Sequence, residues 1–81
     1  MIKILATKIK EELDNNGHYE FCYKADGYNG YVLLFTKDNA GYTVTDHLST
    51  ESGFEEDYDS FSSTLFDEII SFADSIMKGG N

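Results

Sequence analysis

Few residues of this chain could act as nucleophiles or zinc ligands. The sequence contains one cysteine, Cys22, and two histidines, His18 and His47. A zinc site needs several converging ligands, and the cysteine has no CxxC partner. His18 and Cys22 would share one side of a strand, but a thiolate pair also needs an orienting group and an oxyanion hole, which the sequence does not indicate. We therefore expect neither a catalytic cysteine nor a metal centre.

Calcium is the other metal that the sequence invites one to consider. Asp57, Asp59 and Glu68 have the spacing of positions 1, 3 and 12 of an EF-hand loop. Positions 5 and 6, which need a ligand and a glycine, are occupied by Phe61 and Ser62.

The GYNG segment is too short for a phosphate-binding GxGxxG motif and is typical of a hairpin turn. We expect no cofactor and no enzymatic activity.

Acidic residues are the most distinctive chemistry of the chain, and they are unevenly distributed. The 81 residues have a net charge of −9 and include no arginine. Residues 1–37 contain five acids and five lysines, whereas residues 38–77 contain ten acids and neither lysine nor arginine. Direct binding to nucleic acid is disfavoured, because affinity for a polyanion comes largely from cations. The segregation instead predicts attraction to a basic partner.

The densest acidic segment also contains aromatic residues. Five of the nine residues from Glu51 to Asp59 are acidic, with two aromatic residues among them. Such a segment could combine electrostatic steering with apolar anchors at a protein interface, although an aromatic residue there could equally fold back onto the core. The candidate partner-binding residues are Glu51, Phe54, Glu55, Glu56, Asp57, Tyr58 and Asp59, with Asp46 and Asp38 from the same acidic half.

These residues must be positioned by the elements that the hydrophobic pattern predicts. Ile2, Leu5, Ile9 and Leu13 recur at helical spacing, so residues 2–15 form an amphipathic helix in this interpretation. Three strands follow, at about 19–24, 31–37 and 42–47, separated by turns that contain glycine. The alternation in the first and third strands predicts one polar sheet face, formed by Glu20, Cys22, Lys24, Thr43, Thr45 and His47.

The remainder of the chain is expected to form a loop and a second helix. Residues 48–58 show neither periodicity and are rich in Ser, Gly and acids, which is typical of an exposed loop. A helix capped by Asp59 or Ser60 follows, with the apolar stripe Phe61, Leu65, Ile69, Phe72 and Ile76. The expected fold is α+β: one domain, 1–81, of order α-β-β-β-α, with both helices on one face of a three-stranded antiparallel meander.

The order of elements and the acidic loop together resemble a known group of proteins. A short helix, three strands with a DNAGY hairpin, the acidic segment ESGFEEDYDS and a closing helix are similar to the small acidic anti-CRISPR proteins of phages, several of which act as DNA mimics. The resemblance implies that the acidic loop blocks the DNA-binding site of a CRISPR effector nuclease. This chain differs from strongly mimetic members in keeping five lysines in its first half.

Two other functions fit the same sequence. An immunity protein or antitoxin would neutralise a basic nuclease by the same electrostatics, and a small phage structural or assembly protein would use its surface for self-association. In each case we expect a cytoplasmic protein that is a monomer or a weak homodimer. The single cysteine fits a reducing compartment, and the charges in residues 1–16 interrupt any apolar run long enough to span a membrane.

Overall fold

The computed structural model describes residues 2–27, 29–50, 52–53 and 55–79. The chain begins with helix α1 (Ile2–Asn16) and ends with helix α2 (Phe66–Gly79). Four strands lie between them, β1 (His18–Asp26), β2 (Asn29–Asp38), β3 (Gly41–Thr50) and β4 (Glu55–Ser63). They form one antiparallel sheet in the order β1-β2-β3-β4, so β1 and β4 are its edges. The expected α+β class with an antiparallel meander is confirmed, but the sheet has four strands rather than three.

Both helices cover the same face of the sheet. The core combines Ile9 and Leu13 of α1, Ile69, Ile70 and Ala73 of α2, and Leu33, Phe35 and Val44 of the two central strands. Phe35 pairs directly with Val44, so these strand side chains share one face, which we call the helix face. The opposite side of the sheet is the open face. The expected amphipathic stripe of α1 is confirmed at Ile9 and Leu13, which are buried.

The predicted loop at residues 48–58 was wrong. β3 continues to Thr50, and the acidic segment itself begins a fourth strand at Glu55. This strand pairs with β3 through the backbone, and hydroxyls of the two strands also contact each other: the Oγ1 of Thr43 lies 2.9 Å from the Oγ of Ser62, and that of Thr45 lies 3.4 Å from that of Ser60. Such pairing depends on residues far apart in the sequence, so local periodicity does not reveal it.

The predicted start of the second helix was also wrong. Phe61 belongs to β4 and α2 begins only at Phe66, so Asp59 and Ser60 are not its caps. Ser63, which precedes α2, stabilises the turn into the helix, because its hydroxyl accepts a hydrogen bond from the Leu65 amide and donates one to the side chain of Glu68. Leu65, expected in the core, is 59% exposed.

Each edge strand contains a bulge. Cys22 and Lys24 of β1 pair with consecutive residues of β2, which leaves Tyr23 as the extra residue. In β4 the register shifts in the same way between Asp57 and Asp59, which leaves Tyr58 as the extra residue. A bulge re-aims side chains by changing the alternation of the strand. Lys24 is consequently paired with Tyr31 on the helix face, not on the polar face where it was predicted.

Charged contacts at the surface join the C-terminal end of α1 to the C-terminal end of β2. The carboxylate of Asp14 lies 2.7 Å from the Nζ of Lys37 and 3.3 Å from that of Lys10. The hydrogen bonds from Lys37 and Lys10 lower the pKa of Asp14.

Among the described residues, no helix is long and apolar enough to cross a membrane.

Candidate protein interface on strand β4

Strand β4 presents the acidic segment at an edge of the sheet. Glu55, Glu56, Asp57 and Asp59 are all exposed. A strand rises about 3.4 Å per residue, so these four carboxylates occur over roughly 14 Å, or about one negative charge per 4 Å. One strand of DNA has a phosphate about every 3.4 Å along its axis. β4 therefore approaches the linear charge density of a single nucleic-acid strand.

The register of β4 divides these acids between the two faces of the sheet. Asp57 pairs with His47 on the open face, and the hydrogen bond from His47 to Glu55 places Glu55 there too. Glu56 pairs with Leu48 and Asp59 with Asp46, both on the helix face. Carboxylates therefore extend from this exposed edge on both the open face and the helix face.

A histidine of the neighbouring strand contacts two of these carboxylates. The Nδ1 of His47 lies 2.6 Å from Asp57 and its Nε2 lies 3.2 Å from Glu55. The hydrogen bond to Asp57, supported by that to Glu55, raises the pKa of His47 although partial burial opposes the shift. Among the described residues, His47 is the only basic side chain within salt-bridge distance of the β4 acids. No feature of the local sequence predicted this contact.

Tyr58 is the aromatic residue of the acidic strand. As the bulge residue it is 52% exposed, so it does not seal the core. Its hydroxyl has Glu56, Tyr31 and Asp46 as its electrostatic neighbours, and partial desolvation together with these groups raises its pKa. Tyr58 is thus an exposed aromatic side chain within a negative surface, the arrangement expected of an interface anchor.

Two of the other predicted contact residues lie elsewhere. Asp46 is buried on the helix face, where it accepts a hydrogen bond of 2.6 Å from the hydroxyl of Tyr23. Asp38 is exposed at the opposite end of the sheet, and its carboxylate accepts hydrogen bonds from the amides of Ala40 and Gly41. Asp46 is therefore not at the surface, and Asp38 lies apart from the acidic segment of β4. Glu51 and Phe54 lie outside the described residues.

The groups considered for catalysis or metal binding are held by other contacts. The Nδ1 of His18 lies 3.2 Å from the carbonyl oxygen of Asn16, and the thiol of Cys22 donates to the carbonyl of Lys24 at 3.5 Å. Asp57 and Asp59 lie on a strand and Glu68 on a helix, so they do not form an EF-hand loop. Across the ranges that the structure describes, no group of three or more His, Cys, Asp or Glu side chains could hold a metal ion.

Comparisons with known proteins give no family for this chain. No protein-family model, no curated protein and no solved structure matches it. What the protein does must therefore be inferred from the geometry of its own surface.

Proposed function

We propose that this protein is a non-catalytic inhibitor that binds the basic, nucleic-acid-binding surface of a nuclease. The specific form that we propose is an anti-CRISPR protein that keeps DNA out of a CRISPR effector. The observation that supports the proposal is the charge density of β4, where four exposed carboxylates are held in an extended backbone close to the spacing of phosphates. A Lys/Arg groove that accepts a phosphate backbone would be complementary to this edge.

The carboxylates of β4 would favour binding collectively, through their combined electrostatic attraction. An exposed ion pair contributes typically less than about 1 kcal/mol, so no single carboxylate would determine affinity. Together, aligned charges steer a basic partner and accelerate its association, an effect that salt screens over about 8 to 10 Å. Binding should therefore weaken steeply with salt and should compete with nucleic acid for the same site.

An inhibition assay tests the proposal. Purified protein is titrated into guide-loaded CRISPR effector nucleases, and DNA binding and cleavage are measured at several salt concentrations. We expect loss of DNA binding, with inhibition strongest at low salt. Simultaneous binding of inhibitor and DNA at one site, or inhibition that is insensitive to salt, would contradict the mimic mechanism.

A pair of matched variants separates strand β4 from total charge. Glu55→Lys with Glu56→Lys changes the acidic strand, whereas Glu11→Lys with Asp67→Lys changes exposed acids of the two helices. Each pair alters the net charge by the same amount, from −9 to −5, since each of two residues changes by two. We expect the β4 pair to slow association at least tenfold and the helix pair to have a much smaller effect. Equal effects would show that overall charge, not this strand, is responsible.

The principal alternative is an immunity protein or antitoxin for a basic nuclease toxin. It predicts the same dependence on β4 and on salt, but a different target. Inhibition of a nuclease toxin, with no effect on any CRISPR effector, would replace the anti-CRISPR form of the proposal while keeping the acidic strand as the contact.

A further inference from the structure

The open face of the sheet is a broad surface that the described helices leave uncovered. Thr36 and Glu20 are exposed there, and the β4 side chains that belong to it are exposed as well. At its centre lie Val32 and Leu34, apolar side chains that are only half-buried. The apolar centre of this otherwise polar face gives a partner apolar surface to bury in addition to charges to contact.

The open face also differs from the rest of the molecule in its charge. Glu20, Glu55 and Asp57 lie at its two edges, where β1 and β4 run. Among the lysines whose side chains the structure describes, none lies on it: Lys24 and Lys37 contact the rings of Tyr31 and Tyr42 on the helix face, at 5.5 and 5.6 Å.

The other lysines belong to the helices, with Lys3, Lys8 and Lys10 on α1 and Lys78 on α2. The chain therefore places its lysines in the helix layer, whereas the open face presents three carboxylates, of which Glu55 and Asp57 also contact His47.

Hydroxyl side chains of β3 and β4 on this face already have protein partners. The hydroxyls of Thr43 and Ser62, and of Thr45 and Ser60, already contact each other across the β3–β4 boundary. A hydroxyl that keeps its protein partner when water is removed avoids much of the desolvation penalty of an unsatisfied group. These pairs let a partner cover the face without leaving buried hydroxyls unsatisfied.

We propose that the open face, centred on Val32 and Leu34 and bordered by Glu20, Glu55 and Asp57, is the surface on which a Lys/Arg-rich protein docks. This inference rests on the proposed function and extends the contact from the exposed edge of β4 onto the open face. A second copy of the chain is a poorer occupant, because an isologous pair would bring the same carboxylates together. Nucleic acid is repelled by the same charges, which leaves a basic protein surface as the complementary occupant.

The size of the face indicates what kind of interface it can form. Four strands spaced about 4.8 Å apart, over eight residues of about 3.4 Å each, give roughly 400 Å² of flat area. A standard interface takes about 800 Å² of accessible surface from each partner. The open face alone corresponds to a contact at the small end of the range, in which electrostatic steering contributes much of the recognition.

Methyl NMR spectroscopy with a decalysine peptide tests this inference without knowledge of the natural target. We expect the methyl signals of Val32 and Leu34 to shift on titration, while those of Leu65, an exposed leucine just before α2, stay in place. Shifts at Leu65 with none at Val32 and Leu34 would overturn the proposal, because the peptide would then bind on the helix side.

Substitutions on the face provide the second measurement. Thr45→Arg introduces a cation at the centre of the open face, and Ser75→Arg introduces the same charge at an exposed position of α2. We expect the Kd for decalysine to rise about tenfold in the first variant and less than twofold in the second. If Thr45→Arg lowers the melting temperature, Thr36→Lys at an exposed position of β2 makes the same test. An unchanged Kd in a folded open-face variant contradicts the proposal.

The outcomes separate this inference from the proposed function. Decalysine bound at Val32 and Leu34, without inhibition of any nuclease, supports the docking face and removes the inhibitor function. Nuclease inhibition that Thr45→Arg leaves intact keeps the inhibitor function and removes the open face as its contact surface.

Discussion

The hydroxyl of Tyr23, the bulge residue of edge strand β1, donates a 2.6 Å hydrogen bond to the buried carboxylate of Asp46 on strand β3. Burial of the phenol, reinforced by the Asp46 carboxylate, raises the pKa of Tyr23. A carboxylate on the helix face of a sheet is costly unless it has a partner. The bulge supplies that partner by directing Tyr23 across β2 towards β3.

Loss of this contact should destabilise the fold. Tyr23→Phe removes the donor and leaves Asp46 without it, which we expect to cost about 1 to 3 kcal/mol in urea unfolding. Because the folded-state pKa of Tyr23 is raised, its contribution is present below the unfolded pKa of about 10 and is lost at higher pH. The parent should therefore lose more stability than Tyr23→Phe between pH 9 and pH 11. Parallel pH profiles of the two proteins would contradict the role assigned to this hydroxyl.

Substitutions at two apolar positions of the predicted second-helix stripe should differ in how much they lower the free energy of unfolding. Ile69 is fully buried, so Ile69→Ala should cost about 2 to 5 kcal/mol as a core truncation. Leu65 is 59% exposed, so Leu65→Ala should change the free energy of unfolding by less than about 0.5 kcal/mol. Chemical denaturation of both variants makes the comparison. A similar large loss at both positions would restore Leu65 to the core.

The turn between β2 and β3 should not tolerate a side chain at its glycine. A Cβ on Gly41 would lie 2.7 Å from the carbonyl oxygen of Ser63, at a φ of +140°. Gly27 also has a positive φ of +60°, but nothing lies within 4 Å of its Cβ position. Gly41→Ala should therefore cost more stability than Gly27→Ala, for which backbone strain of about 1 to 2 kcal/mol is expected. Thermal unfolding of the two variants checks this order, and an equal or smaller loss for Gly41→Ala would show that the carbonyl of Ser63 moves to accommodate the methyl group.

The protonation of His47 should depend more on Asp57 than on Glu55. Both carboxylates raise its pKa, and the hydrogen bond to Asp57 is the larger cause. NMR titration should show that Asp57→Asn lowers the pKa of His47 by more than Glu55→Gln does. Since the folded-state pKa is raised, the stabilisation is present below about pH 6.5 and is lost as pH rises through the folded value. If neither variant moves the pKa, these contacts do not persist in solution.

Tyr58 and Phe61 should separate binding from folding. Tyr58 is 52% exposed, whereas the ring of Phe61 stacks on that of Phe72 with centroids 5.1 Å apart. Tyr58→Ala should leave the melting temperature nearly unchanged and accelerate dissociation from a basic partner, because an aromatic anchor can contribute about 2 kcal/mol or more. Phe61→Ala should lower the melting temperature instead. Early melting of Tyr58→Ala with unchanged dissociation would place this tyrosine in the core.

The elements with a regular hydrophobic period could be predicted from the sequence. Helix α1 and the three strands through residue 47 follow from apolar positions that repeat every three to four residues, that alternate, or that form a continuous run in β2. The alternation that places Tyr42 and Val44 on one face continues to Asp46. The burial of Asp46 was therefore already indicated by the pattern that was used for its neighbours.

Strand β4 could not be predicted in the same way. Aspartate and glutamate have low strand propensity, and the bulge at Tyr58 interrupts the alternation that would mark a strand. Phe61 has the spacing of a helical stripe with Leu65 and Ile69, so the local pattern favoured a helix. The strand depends on pairing with β3, including the contact of Asp57 with His47, and only the folded chain brings these residues together.

The bulges at Tyr23 and Tyr58 have a further consequence for how the protein behaves at high concentration. Both lie on edge strands, and each interrupts the row of backbone groups that another chain could extend. The longest uninterrupted segments of the two edges are 18–22 and 59–63, five residues each. Continuous edge-to-edge stacking into a fibre needs a longer regular template, so copies of this domain should remain discrete in a crowded solution.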